Sequence, residues 1–176
     1  MKKIKAILIV FALFIVTVAA CTTSVNKNEV VDTNSSSQAT NASIVLPAFS
    51  VQDASGNKIN LQLLKGKKVF VNLWASWCPP CKAEMPSIAA LYNKLDKNKI
   101  VFVLLSVDEK FQSSLDFMNK NNLNLPVYFP TQPLPDLFNT GGIPVTFIFN
   151  EKGELIKQNN GVEDYDTIEY LKLLQS

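Results

Sequence analysis

The sequence predicts an α/β domain with a mixed central sheet flanked by helices, and three features point there. From Leu46 onward short β-rich runs alternate with amphipathic helical stretches, the apolar runs are nearly continuous, and clusters of turn residues separate them. Phe49 to Gln52 and Lys58 to Leu61 flank Asp53-Ala54-Ser55-Gly56-Asn57 and read as an N-terminal hairpin. Lys68 to Trp74 (KVFVNLW) is a buried strand. A helix follows whose apolar positions Met85, Ile88, Leu91, Tyr92 and Leu95 recur at three and four, which makes one face. Ile100 to Val107 (IVFVLLSV) reads as a strand of a parallel sheet covered on both faces. Next come a helix from Phe111 to Asn121, a short strand Val127-Tyr128-Phe129 and a one-turn helix at Leu134 to Phe138. The strand Val145 to Asn150, the turn Glu151-Lys152-Gly153, the strand Glu154 to Gln158 and a helix Tyr165 to Leu174 complete the chain.

A chain of 176 residues suits one domain with an appendage. Sixteen of the first twenty residues are apolar, so the remainder is less greasy than the mean implies, and a membrane protein throughout is excluded. Seventeen lysines face fifteen acids, but Lys2, Lys3 and Lys5 lie at the extreme N-terminus. Without them the balance is close to neutral, which leaves no basic footprint for nucleic acid. The chain has no His and no Arg, which excludes His-based triads, His metal ligands, a CxxCH haem attachment and arginine phosphate clamps. Cys, carboxylates, Lys, Tyr and backbone must carry the chemistry.

Residues 1–20 have the layout of a secretory signal: a short basic region, an apolar run from Ala6 to Val16, then small residues. A membrane-crossing helix needs about 20 apolar residues, and this run stops at Thr17. Val18-Ala19-Ala20-Cys21 resembles a bacterial lipobox, which implies cleavage before Cys21, acylation of its sulfur and attachment to a lipid bilayer. An ordinary signal peptide or a short anchor is the competing reading. Residues 21–44 then form the lipidated Cys and a polar tether, rich in Thr, Ser and Asn, and residues 45–176 the folded domain.

Cys78-Pro79-Pro80-Cys81 stands where a buried strand passes into an amphipathic helix. A thiolate at a helix N-terminus is favoured by the partial positive charge and free N–H groups there, so Cys78 is the candidate nucleophile. Cys81, one turn inward, is placed to resolve a mixed disulfide. A structural staple closing so short a loop would add only about 2 kcal/mol, against about 3 for a fifteen-residue loop. Half a zinc site would need ligands the mature domain lacks, so no metal is expected. A redox-active Cys78–Cys81 disulfide, with no other cofactor, is the expectation.

Three segments carry a family resemblance: Val71 to Cys81 (VNLWASWCPPC), Cys81 to Pro86 (CKAEMP) and Gly142 to Phe147 (GIPVTF). Over residues 45–176 the chain resembles thioredoxin and, more closely, the membrane-anchored TlpA/ResA-type thioredoxin-like proteins of bacteria. The resemblance implies a thioredoxin-like fold and thiol–disulfide exchange, with Pro144 at the place of the family's cis proline and Pro86 at that of a helix-kinking proline. Residues 108–140 exceed what thioredoxin has there, and this extra αβ insertion fits the TlpA/ResA-like group. Asn72 replaces the buried Asp of cytosolic thioredoxins and cannot take up a proton. Glu84 stands where the TlpA/ResA-like group has a Glu, and partial burial would raise its proton affinity to suit an acceptor for Cys81. A solvated helix carboxylate is the plainer alternative.

The remaining candidates concern substrate contact. Trp74 is expected in the core, while Trp77, Pro79 and Pro80 present a surface for a partner. Ile143 beside Pro144 offers backbone N–H and C=O to an extended segment. Lys65, Lys67 and Lys68 read as a solvated turn. The expected function is a lipid-anchored disulfide reductase on the extracytoplasmic face of a bacterial membrane, a monomer acting on oxidised exported proteins such as apocytochrome c and recharged by a membrane thiol donor. A disulfide oxidase or isomerase, and a non-enzymatic binding lipoprotein, are the alternatives. Peroxiredoxins carry a Thr three residues before their reactive Cys, where this chain has Ala75.

Overall fold

Two successive parallel crossovers build the centre of the sheet in the computed structural model, which describes residues 43–176. The leader, Cys21 and nearly all of the tether expected before them lie outside the described residues. β3 (Lys68–Trp74) leads through α1 (Pro79–Lys94) to β4 (Ile100–Ser106), and β4 through α2 (Phe111–Lys120) to β5 (Val127–Pro130). Such crossovers keep one hand, so two taken in the same direction put both helices on one face. Side chains of α1 and α2 accordingly share one core. β6 (Val145–Phe149) pairs antiparallel with β3, and β7 (Leu155–Asn160) folds back on β6. At the other edge β1 (Ser50–Asp53) joins β5 antiparallel, and β2 (Lys58–Asn60) completes the hairpin. The order is β2-β1-β5-β4-β3-β6-β7, the mixed seven-stranded sheet of a thioredoxin-like α/β fold.

The alternation along β3 divides the interior. Phe70 and Trp74 face α1, α2 and α3 (Ile168–Gln175), packing with Met85, Ile88, Phe102 and Leu174. Val69, Val71 and Leu73 face the opposite way, into a second core with Val103, Leu105, Phe147 and Phe149, closed by Leu46, Phe49, Leu61 and Phe138. Each such side chain contributes about 1.5–3 kcal/mol on burial. Asn72 shares the face of Phe70 and Trp74, so the pleat that buries those rings also carries a fully buried amide toward α1.

Three differences from the sequence reading have local causes. The last helix begins at Ile168 rather than Tyr165, because Asp164 accepts the Asp166 N–H in a side-chain turn and Thr167 caps the helix. Tyr165 instead drops into the core, edge-on to Phe70. A one-turn 3₁₀ helix, Leu61–Leu64, follows β2 where Asn60 accepts the Gln62 N–H. Lys68 does not belong to a solvated turn: it is 5% exposed, and its ammonium donates to the Leu173 carbonyl (2.9 Å) and to Ser176 beyond the last turn of α3. Lys65 is exposed, as expected of a turn, and Lys67 half-buried.

Candidate active site

The end of β3 delivers the chain into a turn closed by the Cys78 N–H on the Ala75 carbonyl (3.1 Å), and α1 starts at once. Pro79 and Pro80 occupy its first two positions, where a missing N–H costs no helical hydrogen bond and the fixed φ suits the helix. Cys78 is the N-cap residue: its sulfur accepts the Cys81 N–H at 3.2 Å, and the Lys82 N–H reaches its carbonyl at 3.1 Å. Cys78 and Cys81 are joined as a disulfide, with Cα atoms 5.3 Å apart. Cys81 is fully buried and Cys78 is 3% exposed.

What solvent meets is the rim. Trp77 is 64% exposed, and Pro79 and Pro80 are also exposed. The Ile143–Pro144 peptide bond is cis, and the Ile143 carbonyl oxygen lies 3.9 Å from the Cys78 sulfur. Between Trp77 and Ile143 runs an apolar groove of about 230 Å³, lined also by Val107, Leu134 and Phe138. Trp77, Pro79 and Pro80 thus flank Cys78 along the chain, and the cis Ile143–Pro144 bond brings the Ile143 carbonyl across the sheet to its sulfur. Leu134 and Phe138 belong to the segment that exceeds the thioredoxin pattern, so the insertion supplies one wall of the groove.

Beneath the disulfide lies a polar cluster. Glu84 is 1% exposed, on the α1 turn after Cys81. Burial pushes its carboxyl up to about 7, against the opposing hydrogen bond from the Asn72 amide, whose Nδ2 donates to Oε1 at 2.7 Å. The same Nδ2 donates to Thr146 Oγ1 (2.9 Å), which also accepts the Tyr165 hydroxyl (2.6 Å). Asn72 Oδ1 and Glu84 Oε2 are buried without a hydrogen-bond partner. Glu84 is therefore not a solvated helix carboxylate, and the amide that replaces the thioredoxin Asp holds it directly.

A second polar cluster escaped the sequence reading. Asp108, 5% exposed, accepts from the Ser76 N–H and hydroxyl and from the Ser106 and Ser114 hydroxyls. Burial opposes its ionisation, but these hydrogen bonds prevail and hold its carboxyl below the ordinary range. They tie the loop before Cys78 to the end of β4 and to α2. The only trace in the sequence is a Ser and an Asp closing an apolar strand and a Ser facing inward on the next helix. Thr146 and Tyr165 were likewise read as strand and helix residues. Among the described residues no three His, Cys, Asp or Glu side chains converge as metal ligands.

Comparison with known proteins agrees with this geometry. The AhpC/TSA family pattern matches residues 44–158. The thiol-disulfide oxidoreductase ResA of Bacillus thuringiensis (strain Al Hakam) is 35% identical over 128 residues, spanning 72% of this chain and 74% of that protein. A thiol:disulfide interchange protein of the thioredoxin family from Chlorobium tepidum TLS superposes with a TM-score of 0.64 at 26% identity, over 76% of this chain and 97% of the other. StoA from Bacillus subtilis gives 0.61 at 29% identity, over 75% and 98%. With a thioredoxin-like sheet, a paired CxxC at the start of α1 and this degree of identity, the chain belongs to the AhpC/TSA family and, within it, to the ResA-type thiol-disulfide oxidoreductases.

Proposed function

We propose that this oxidoreductase works as a reductant of exported proteins, held by an acylated Cys21 at the extracytoplasmic face of a bacterial membrane. Its substrates are polypeptides carrying a disulfide formed outside the cytoplasm, apocytochrome c among them, and a membrane thiol donor restores its own dithiol. In the reduced protein the Cys78 thiolate attacks a substrate disulfide, and one substrate thiol leaves. Trp77 and the Ile143–Pro144 backbone hold the substrate segment across the sulfur. Cys81 then gives its proton to Glu84 and attacks Cys78, which forms the 78–81 disulfide and releases the second substrate thiol.

One observation carries the direction. The Cys78 sulfur accepts a single N–H within the motif, from Cys81, because Pro79 and Pro80 have none to offer. A strong oxidant stabilises its reduced form, the thiolate, and that stabilisation is depleted here. Equilibration with glutathione or dithiothreitol buffers tests the reading. The expected potential lies nearer the thioredoxin value of about −270 mV than the oxidising value of about −120 mV, and a value above about −150 mV would overturn it in favour of an oxidase.

A further inference from the structure

The first described residues join the domain at the end opposite the disulfide. β3 starts at that end with Lys68 and runs roughly 20 Å, at the rise of an extended strand, before the turn that carries Cys78. Four backbone hydrogen bonds gather the loops there into one surface. The Leu46 N–H donates to Gly153 (2.7 Å), the Leu155 N–H to Ile44 (2.8 Å), the Gly66 N–H to Glu151 (2.8 Å) and the Lys68 N–H to Lys99 (3.0 Å). On this surface Lys65, Lys97, Lys99 and Lys152 are exposed and Lys67 is half-buried, against Asp96, Glu151 and Glu154. Lys94 is paired with Asp166, and Lys68 is buried against Leu173 and Ser176, so neither adds to the surplus. Among the lysines lie exposed aliphatic side chains: Ile44 (51%), Val45 (47%) and Leu63 (80%), the last two residues before Lys65, whose stem covers Gly153 beside Leu46. The active-site end has the other sign, with Glu109, Glu163 and Asp164 against Lys82 and Lys110. A domain close to neutral overall is therefore basic at one end.

We propose that this end of the domain docks on an anionic phospholipid surface, which turns Cys78 away from the bilayer and toward polypeptides arriving from outside. The inference rests on the acylated Cys21 of the proposed function, which keeps the domain beside a bilayer. Lysines interleaved with exposed aliphatic side chains suit such an interface, because the ammonium groups meet lipid phosphates while stems and aliphatic groups rest at the acyl boundary. The chain that leads back to Cys21 joins the domain through Ser43 and Ile44, on this surface and not at the active-site end. A lysine near an anionic membrane contributes about fivefold in affinity. Five lysines less three acids leave a surplus of two, and thus a preference of about thirtyfold for this orientation. That is enough to orient a domain already held at the surface, and too little to bring an unanchored one there.

The test reads lysine acetylation, by mass spectrometry, on the full chain purified from bacterial membranes and reconstituted on two kinds of vesicle: phosphatidylcholine alone, and phosphatidylcholine mixed with phosphatidylglycerol. On the anionic vesicles at low salt Lys65, Lys67, Lys97, Lys99 and Lys152 label about five- to tenfold more slowly than on the neutral ones, while Lys82 and Lys110 keep their rates. Salt at about 0.5 M removes the difference. The double variant Lys65→Glu, Lys152→Glu reverses the surplus and removes the protection of Lys67, Lys97 and Lys99. Equal labelling of an acylated chain on both vesicles overturns the docking and leaves the anchor standing. Protection of Lys82 and Lys110 in place of the five overturns the orientation. An intact mass without acyl chains on Cys21 overturns the anchor and the docking together. The salt series on the unaltered chain decides the matter if the double variant fails to fold.

Discussion

Replacing Glu84 by Gln isolates the electrostatic cost of the site, because the amide keeps the shape and still accepts from Asn72 while losing the ability to ionise. The carboxyl's proton affinity rises from 4.5 to about 7 on folding. Between those values the folded chain holds a proton that the unfolded chain has released, so stability is fully present below about 4.5 and falls as pH rises through 7. The gap corresponds to a loss of about 3 kcal/mol, at 1.36 kcal/mol per unit. Glu84→Gln escapes this loss. Urea titration of the disulfide-bonded protein at about pH 4 and pH 8.5 therefore shows the variant gaining about 3 kcal/mol relative to wild type across the range, a midpoint shift of roughly 1–3 M. On the proposed mechanism, in which Glu84 accepts the Cys81 proton, the same variant resolves mixed disulfides slowly. A stability difference that is flat with pH, or a wild-type rate of reduction across pH 6 to 9, would refute the reasoning.

Two further predictions concern the supports of the site. Asp108→Ala leaves the Ser76, Ser106 and Ser114 donors without their acceptor and lowers stability by about 2–3 kcal/mol near neutral pH. Because the folded carboxyl is more acidic than its ordinary 3.8, that contribution is present above 3.8 and fades as pH falls below it, so wild type and variant converge in acid; chemical denaturation at pH 7 and pH 3 checks this. Lys68→Met removes the ammonium that caps the end of α3 and speeds amide exchange in Ile168–Gln175 by about five- to tenfold, corresponding to about 1 kcal/mol, with protection of β3 and β4 unchanged.

The fold was legible because its elements follow local rules. β3 and β4 appear in the sequence as nearly continuous apolar runs, and α1 as a single face ending at Leu95. The reactive pair was legible for the same reason: CxxC at a strand-to-helix junction places a sulfur at a helix N-terminus whatever surrounds it. The surroundings themselves depend on contacts between distant residues. Thr146 reads as one more β-branched strand residue until β6 lies beside β3 and sets it opposite Asn72. Tyr165 reads as the first residue of a helix until the Asp164–Asp166 turn sends its ring beneath the sheet. Asp108 carries no periodic signal, and its three serine partners come from a loop, a strand end and a helix. Lys68 fits a run of three lysines by position, but the register of β3 carries it inward to the end of α3.

The chain also lacks His, which leaves buried carboxylate as the available means of moving a proton near neutral pH, and this constrains the site as a whole. A carboxylate matched to that task must be taken out of water, and α1 does so by carrying Glu84 on the turn after Cys81, against the sheet. Ionised in that position it needs a donor that adds no charge, since a neighbouring cation would return its proton affinity to the acidic range. Asn72 is such a donor. An Asp in its place would set two carboxylates within hydrogen-bonding distance, and one of them would stay protonated well above neutrality. The two prolines act on the other sulfur, withholding N–H groups from Cys78 while Cys81 keeps its own. On the proposed mechanism the two thiols are therefore controlled separately, through the backbone for the attacking sulfur and through a buried carboxylate for the resolving one. The unpartnered oxygens of Asn72 and Glu84 are the stability cost of that division, concentrated where the chemistry takes place.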